Sequence, residues 1–381
     1  MKKEVIARAR EQTTDIRMIW EMADSLLAEK KYDNIKEFLL SNKEIVQQDN
    51  DLSVLCYLCT IYEKEKAAGV PVIFTKVSDA YALLERYTRL KFYLRRIEFD
   101  VIDQEDMDNL CAFLVEKQIS NYELLTVIDF CVFHKQRVLQ VIKGEIKTET
   151  PELESIPDLG DQNCENTICF IICSNNKLYE EECLFYIHRL TIPSGYQIEI
   201  LTVEDAASMT AGYNEAMRHS RAKYKVYLHQ DTFLINHHFL QDILDIFHSD
   251  RKIGMIGVIG SPKVPENGVM WDSVRYGMIY EQHIYETVKL SNQCSKPLEE
   301  VEAVDGLLMV TQYDIPWRED LFDQWDYYDC SQSMEFIRRG YKVVVPGMEE
   351  PWCVHDCGFL NLNNFEKERK KYVQEYMEIR D

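Results

Sequence analysis

Long apolar runs are missing from this sequence. A bilayer-spanning helix needs about 20 consecutive apolar residues, and the longest stretches here, such as Ile168–Cys173, fall far short. The opening residues, Met1 to Arg10, have no apolar core of the kind that directs export. A cytoplasmic protein is therefore expected, with attachment to a membrane surface left open. Basic charge is also scarce. The 43 Lys and Arg stand against 65 Asp and Glu, a formal net charge of −22, most of it after residue 150. Such a deficit argues against a surface for nucleic-acid phosphates. An acidic chain still binds an anionic nucleotide where a metal ion neutralises the phosphates. Ser174–Tyr179 has no glycine and a single lysine, Lys177, which argues against the glycine-rich, basic phosphate loop of a nucleotidyltransferase.

Cysteine is not scarce, but 12 in a chain of 381 residues do not make a disulfide scaffold. Cys56, Cys59, Cys111, Cys131, Cys169 and Cys173 lie inside apolar runs and read as reduced core residues. With 46% hydrophobic and 28% charged residues, the chain has the composition of an ordinary globular protein. Its length accommodates two or three domains.

Residues 1–145 carry helical periodicity throughout. Ile16, Ile19, Trp20, Ala23, Leu26 and Leu27 form one stripe, and Ile35, Phe38 and Leu39 a second. A third runs through Leu52, Leu55, Cys56, Cys59 and Tyr62, and a fourth through Ala80, Leu83, Leu84, Tyr87, Phe92 and Leu94. Asp51, Ser78 and Asn121 stand where N-caps are expected. Paired helices with short connections predict either an α-solenoid, with Trp20–Tyr62 resembling a tetratricopeptide hairpin pair, or a plain bundle. Residues 146–165 are acidic, contain proline and glycine, and read as a linker.

From residue 166 to 381 the pattern changes. Apolar strands are predicted at Ile168–Ile172, Gln197–Val203, Tyr224–Leu228 and Ile253–Ile259, alternating with helices at Tyr179–Leu190, Ala207–Ser220 and Phe239–His248. Strands alternating with helices imply a mostly parallel sheet covered on both faces. Three strands end in polar clusters: Ser174, Asn175 and Asn176; Glu204 and Asp205; His229, Gln230 and Asp231. One such cluster is ordinary turn chemistry. Three on successive parallel strands converge on one sheet edge, where ligands collect. A carboxylate and an imidazole at the third strand end are suited to a divalent metal, although an aspartate there also caps helices. Ser261–Val301 shows no legible pattern, and Asn364–Asp381 has apolar residues at helical spacing and is expected to pack as a C-terminal helix.

The order of these motifs resembles the GT-A glycosyltransferases of the family 2 type, closest to the branch typified by streptomycin-biosynthesis glycosyltransferases. Cys173–Asn176 is similar to the element ending that family's first strand, and Glu204-Asp205 to the acidic pair ending the second. Ala211-Gly212-Tyr213-Asn214 resembles the helix preceding the metal strand. His229-Gln230-Asp231 stands where the family has Asp-x-Asp, with His in place of the first Asp. Val304-Asp305-Gly306 resembles the opening of the acceptor-side strand. Tyr328-Asp329, followed by Gly340-Tyr341, stands at the acidic motif, with Tyr in place of Glu. Pro351–His355 resembles a late strand whose His completes the metal site. The resemblance spans residues 167–357 and does not reach residues 1–145.

The resemblance implies a GT-A, Rossmann-like α/β domain with a mostly parallel mixed sheet, and the helical periodicity of residues 1–145 places an all-α helical-hairpin domain before it. It implies an inverting hexosyltransferase that moves a sugar from a nucleotide-sugar donor to a glycan or other hydroxyl acceptor. Asp329 would be the general base. Asp231 is the first choice as metal ligand, then His355, then His229, for Mn²⁺ or Mg²⁺, with the imidazoles favouring Mn²⁺. Ser174, Asn175, Glu204, Asp205, Asn214, Gln230 and Asp305 would bind the nucleotide sugar. Trp271, Trp317 and Trp325 are candidates for stacking on sugar rings. Two other readings stay open. Cys353, His355 and Cys357 alternate along a strand and could hold structural zinc. The helical half could be an interaction scaffold for a protein partner, joined to a degenerate transferase.

Overall fold

The structure, a computed structural model, describes residues 16–46, 52, 55, 56, 59, 77–148, 164–283, 287–292, 294–358 and 364–378. It divides into two compact units, residues 1–151 with 282–287 and 357–361, and residues 152–281 with 288–356 and 362–381. Most of the expected linker, 146–165, lies outside the described residues.

The first unit is helical, with α1 (Ile16–Ala28), α2 (Tyr32–Ser41), α3 (Lys43–Val46), α4 (Val77–Glu98), α5 (Gln104–Glu116), α6 (Asn121–Cys131) and α7 (Lys135–Ile142). The predicted stripes form its core: Ile19, Ala23, Leu26, Leu27, Ile35, Phe38, Leu39, Leu52, Leu55, Cys56, Cys59, Tyr87 and Leu94 are all buried in one cluster. The caps differ from expectation. Ser78 lies inside α4, Asp51 falls outside the described residues, and Asn121 is the first residue of α6 rather than its cap. Ser120 caps α6 instead. Its hydroxyl accepts the Glu123 N–H while the Glu123 carboxylate accepts the Ser120 N–H. Satisfying two orphan donors at once favours this reciprocal box over a lone asparagine. Glu98 joins α4 to the start of α7 by accepting the N–H groups of Phe133 and His134, and burial pushes its carboxyl up to about 7.

The second unit is α/β. Its seven-stranded sheet has the order β2 (Gln197–Glu204), β1 (Thr167–Ser174), β3 (Tyr224–His229), β11 (Leu308–Thr311), β5 (Ile253–Gly257), β12 (Lys342–Pro346), β9 (Leu298–Glu300). The pairs β1–β2, β1–β3 and β5–β12 are parallel, whereas β11 runs antiparallel to both β3 and β5, and β9 antiparallel to β12. Helices α8 (Lys177–Ile187) and α9 (Met209–His219) connect the three parallel strands, and α10 (Phe239–Ser249) precedes β5. Every residue of β1 is buried, as a continuous apolar run predicts for an interior parallel strand. Close packing fixes α9 against it: a Cβ on Gly212 would stand 2.6 Å from Cys173 Sγ.

The apolar run Ile253–Ile259 is not one strand. It divides at Val258 into β5 and β6 (Ile259–Ser261), which enter different sheets. The second sheet has the order β10 (Ala303–Val304), β6, β7 (Tyr276–His283), β13 (Cys353–Gly358), β4 (Thr232–Leu234), with β8 (Thr287–Asn292) pairing β7. The patternless Ser261–Val301 segment thus contains three strands. The longest, β7 with the sequence YGMIYEQH, neither alternates apolar and polar residues nor forms an unbroken apolar run, so it shows no strand period.

Helix α11 (Tyr328–Arg338) is braced by the chain's later residues. After α12 (Phe365–Tyr372) the backbone widens into a π turn at Val373–Met377. The Tyr376 hydroxyl lies 2.9 Å from Ser331 Oγ and donates to Glu335 at 2.9 Å, and Arg338 pairs with Glu375 at 2.7 Å. Tyr372 and Tyr376 are buried with Phe322, Tyr327, Cys330 and Met334. No helix among the described residues is long and apolar enough to cross a membrane. Truncating Tyr376 to Ala should destabilise this unit by about 3–5 kcal/mol in urea unfolding, as for other buried aromatics. Lys370→Ala, at an exposed position, should change stability by under about 0.5 kcal/mol.

Candidate active site

Three of the predicted strand ends meet at one edge because β1 pairs in parallel with both neighbours. Ser174 stands opposite Glu204, and Cys173 opposite His229. Gln230 closes this edge. Its Oε1 accepts from Ser174 Oγ at 3.1 Å and from the N–H groups of Asn175 and Asn176 at 3.0 and 2.9 Å, while its Nε2 donates to Asn175 Oδ1. Asn176 then caps α8, accepting from the N–H groups of Leu178 and Tyr179. Glu204 and Asp205 end β2 with exposed side chains, and Asp205 holds a left-handed backbone (φ 53°) that turns the chain away from the strand.

Past β3, the chain reverses at Gln230 and Asp231 into β4, which pairs antiparallel with β13 and sets His355 opposite Thr232. The Asp356 N–H donates to the Asp231 carbonyl at 2.8 Å. This brings together the three expected metal ligands, whose donor atoms lie within 4.8 Å of one another. Asp231 Oδ1 is 3.8 Å from His229 Nδ1 and 3.6 Å from His355 Nε2. Those separations exceed a direct hydrogen bond and leave space for one ion between the three atoms. Burial pushes the His229 imidazole down to about 4, so at neutral pH it is uncharged and keeps a lone pair for ligation. Two imidazoles and one carboxylate fit a divalent transition-metal ion.

A second group forms on the same edge. Because β11 is antiparallel to β3, it is the start of β11 that lies beside the end of β3, and the His229 N–H donates to the Leu307 carbonyl at 3.1 Å. Asp305 Oδ1 accepts from the Leu307 N–H at 2.9 Å, and Asp329 Oδ2 accepts from the Gly306 N–H at 2.9 Å. Burial, reinforced by the Asp329 charge, pushes Asp305 up to about 7, against the opposing pull of the Leu307 N–H and, more weakly, of Arg275. Burial also raises Asp329, opposed by the N–H groups of Cys330 and Gly306. Asp329 sits in the first turn of α11 and not at its N-cap, which is Tyr327 in a left-handed conformation.

Other expectations need correction. Asn214 is buried inside the unit. Its amide donates to the Trp317 carbonyl and to Glu319, and its Oδ1 accepts the Trp317 N–H, so it anchors the 317–319 loop and has no free face toward a ligand. Trp317 is core, with ring centroids 4.9 Å from both Tyr213 and Tyr227. Trp271 and Trp325 are exposed. Cys353 is fully buried, its thiol pushed up by burial, and belongs to no metal-holding group among the described residues, which removes one ligand from the zinc reading. Tyr328 carried no expected role, yet its hydroxyl is hydrogen-bonded to His229 Nε2. The only sequence signal for it was that it stands where the resembled motif has an acid.

A family model described as "Glycosyltransferase like family" matches residues 169–376. No curated protein matches the sequence. Among solved structures, the mannosyltransferase PcManGT from Pyrobaculum calidifontis, in complex with GDP-Man and Mn²⁺, is 14% identical at a TM-score of 0.33 over 49% of this chain and 56% of that one. GalNAc-T7 with UDP, GalNAc and Mn²⁺ is 10% identical at 0.36, over 59% of this chain and 60% of that one. The chain thus spans less than two thirds of either structure.

The Asp305 carboxyl fixes how stability should vary with pH. In the folded protein it holds its proton up to about 7, whereas the unfolded chain releases it near 3.8. The unfolded state sheds protons first, so this group's contribution to stability falls as pH rises between those values, by at most about 1.4 kcal/mol per unit. Urea unfolding of Asp305→Asn should show a flatter dependence between pH 5 and 7 than the wild type. Equal slopes would contradict the protonated Asp305.

Proposed function

The chain belongs to a glycosyltransferase-like family through residues 169–376, and we propose that it moves a sugar from a nucleotide-sugar donor to an acceptor hydroxyl with inversion at the anomeric carbon. One observation carries this reading: the trio His229, Asp231 and His355 and the carboxylates Asp305 and Asp329 are gathered at a single sheet edge. Sugar transfer needs those two capacities together. Charge building on a leaving diphosphate must be stabilised, and a proton must be taken from the attacking hydroxyl.

Asp231, His355 and His229 would hold the divalent ion, Mn²⁺ in preference to Mg²⁺ because two ligands are imidazoles. When bound, that ion supplies positive charge to the diphosphate. The exposed Glu204, Asp205 and Asn175 are available to nucleoside hydroxyl and amino groups, while Ser174 and Gln230 keep the edge in register. Asp329 is the proposed base. The N–H groups of Gly306 and Cys330 fix its carboxylate. Burial makes Asp329 more basic than an exposed carboxylate, against the pull of those same N–H groups. One base on one side of the sugar dictates a single displacement, hence inversion.

All twelve cysteines are free, which fits a reducing, cytoplasmic setting. The GT-A type of the fold, the streptomycin-type branch and the tetratricopeptide likeness of the helical unit remain part of the proposal, resting on the motifs quoted above. So does a protein partner for the helical unit.

Two measurements test this. Mn²⁺ together with a nucleoside diphosphate at about 100 times Kd should stabilise the protein by about 2.7 kcal/mol, seen as a rise in Tm. No shift with any nucleotide or nucleotide sugar would favour a scaffold with an inactive transferase unit. Asp329→Asn should lower kcat about 10²–10⁴-fold with nucleotide affinity nearly unchanged. Normal turnover would remove Asp329 as base. In the active protein, kcat should rise with pH toward neutrality, because transfer requires the Asp305–Asp329 pair to lose its proton.

A further inference from the structure

We propose that Tyr328 is a positioning residue for the metal site: its hydroxyl fixes the His229 ring so that Nδ1 faces Asp231 and His355. The inference rests on the metal-binding reading above and deepens it.

A neutral imidazole has one nitrogen that carries hydrogen and one that carries a lone pair. His229 Nδ1 faces Asp231 Oδ1 at 3.8 Å, and His229 Nε2 meets the Tyr328 hydroxyl. If Nδ1 is to ligate, Nε2 must hold the proton, and that proton needs an acceptor. The Tyr328 oxygen is the acceptor the structure places there. The opposite arrangement, with the hydroxyl donating to Nε2, would put the proton on Nδ1 and close that position to a cation. An ion between the three ligands therefore selects the first arrangement, and the hydroxyl, able to accept as well as donate, supports it. Hydrogen bonds of this outer kind orient ligating histidines and strengthen their hold on metal.

Tyr328 has little freedom to stand elsewhere. Its ring is buried, with centroids 6.0 Å from Tyr213 and 6.2 Å from Trp317. It lies over Gly306, where a Cβ would collide with the hydroxyl. The Gly306 N–H is bonded to Asp329, the residue after Tyr328. The backbone on the other side is fixed too, since the His229 N–H donates to Leu307. The turn 305–307 thus places a metal ligand, its hydrogen-bond partner and the proposed base as one block. The two positions at which the sequence departs from the motifs it resembles, His229 and Tyr328, are the two that touch. An imidazole ligand requires an outer acceptor that a carboxylate ligand does not.

The test is Mn²⁺ affinity of the full chain, measured by the electron paramagnetic resonance signal of unbound Mn²⁺. Tyr328→Phe deletes one oxygen and keeps the ring, and should weaken Mn²⁺ binding roughly 10–100-fold while the protein in chelator still unfolds cooperatively, with Tm lowered by only a few degrees, about the effect of one lost buried hydrogen bond. In a His229→Asp background, where no imidazole proton needs placing, Tyr328→Phe should cause no further loss. Gly306→Ala, which displaces the hydroxyl, should weaken Mn²⁺ binding in the same direction. Wild-type affinity in Tyr328→Phe overturns the proposal, as does an equal loss in the His229→Asp background. A wild-type protein that binds no Mn²⁺ overturns the metal reading itself and this inference with it.

Discussion

The antiparallel seating of β11 against β3 is the constraint on which the polar edge depends. Leu308 pairs with Leu228, so the turn before β11 reaches the end of β3 instead of the far side of the sheet. A parallel strand in that place would carry Asp305 and Gly306 to the opposite edge. From this one register follow the His229–Leu307 backbone bond, the Gly306 contact that holds Asp329, and the cleared space that Tyr328 fills. The second sheet adds His355 by a similar device, since β4 folds back from β3 and pairs with β13.

The electrostatics of the edge follow from its packing. His229 is kept neutral by burial, and burial also lifts the carboxylates of Asp305 and Asp329. On a chain with a formal net charge of −22, an edge crowded with ionised acids would repel a diphosphate. A proton kept in the pair lessens that repulsion, while the neutral His229 keeps a lone pair for a cation and Asp231 adds a carboxylate beside it.

In the first half of the second unit, Ile168–Ile172 is legible as an unbroken apolar run because β1 is buried along its whole length. Tyr224–Leu228 is legible from the alternation of Tyr224, Val226 and Leu228 with Lys225 and Tyr227, and the polar groups after both strands from their position. The helical unit was legible through its apolar stripes, although caps were misplaced by one residue at Asn121 because the reciprocal bonding of Ser120 and Glu123 is a paired property. The sheet-switching break at Val258 was hidden inside one apolar run. Asn214 misled for another reason: its side chain satisfies a loop a hundred residues downstream, a demand no local pattern records. Tyr328 stands in the sequence only as a departure from the resembled motif, and its bond to His229, ninety-nine residues away, leaves no local trace.

The brace between Tyr376 and α11 bears on how the protein comes into being. His229 and Asp231 leave the ribosome more than a hundred residues before His355 and Tyr376 do. Until then the polar edge lacks His355, and α11 lacks the brace from Tyr376. A chain interrupted anywhere before residue 355 lacks both, so the proposed site can be completed only late in synthesis.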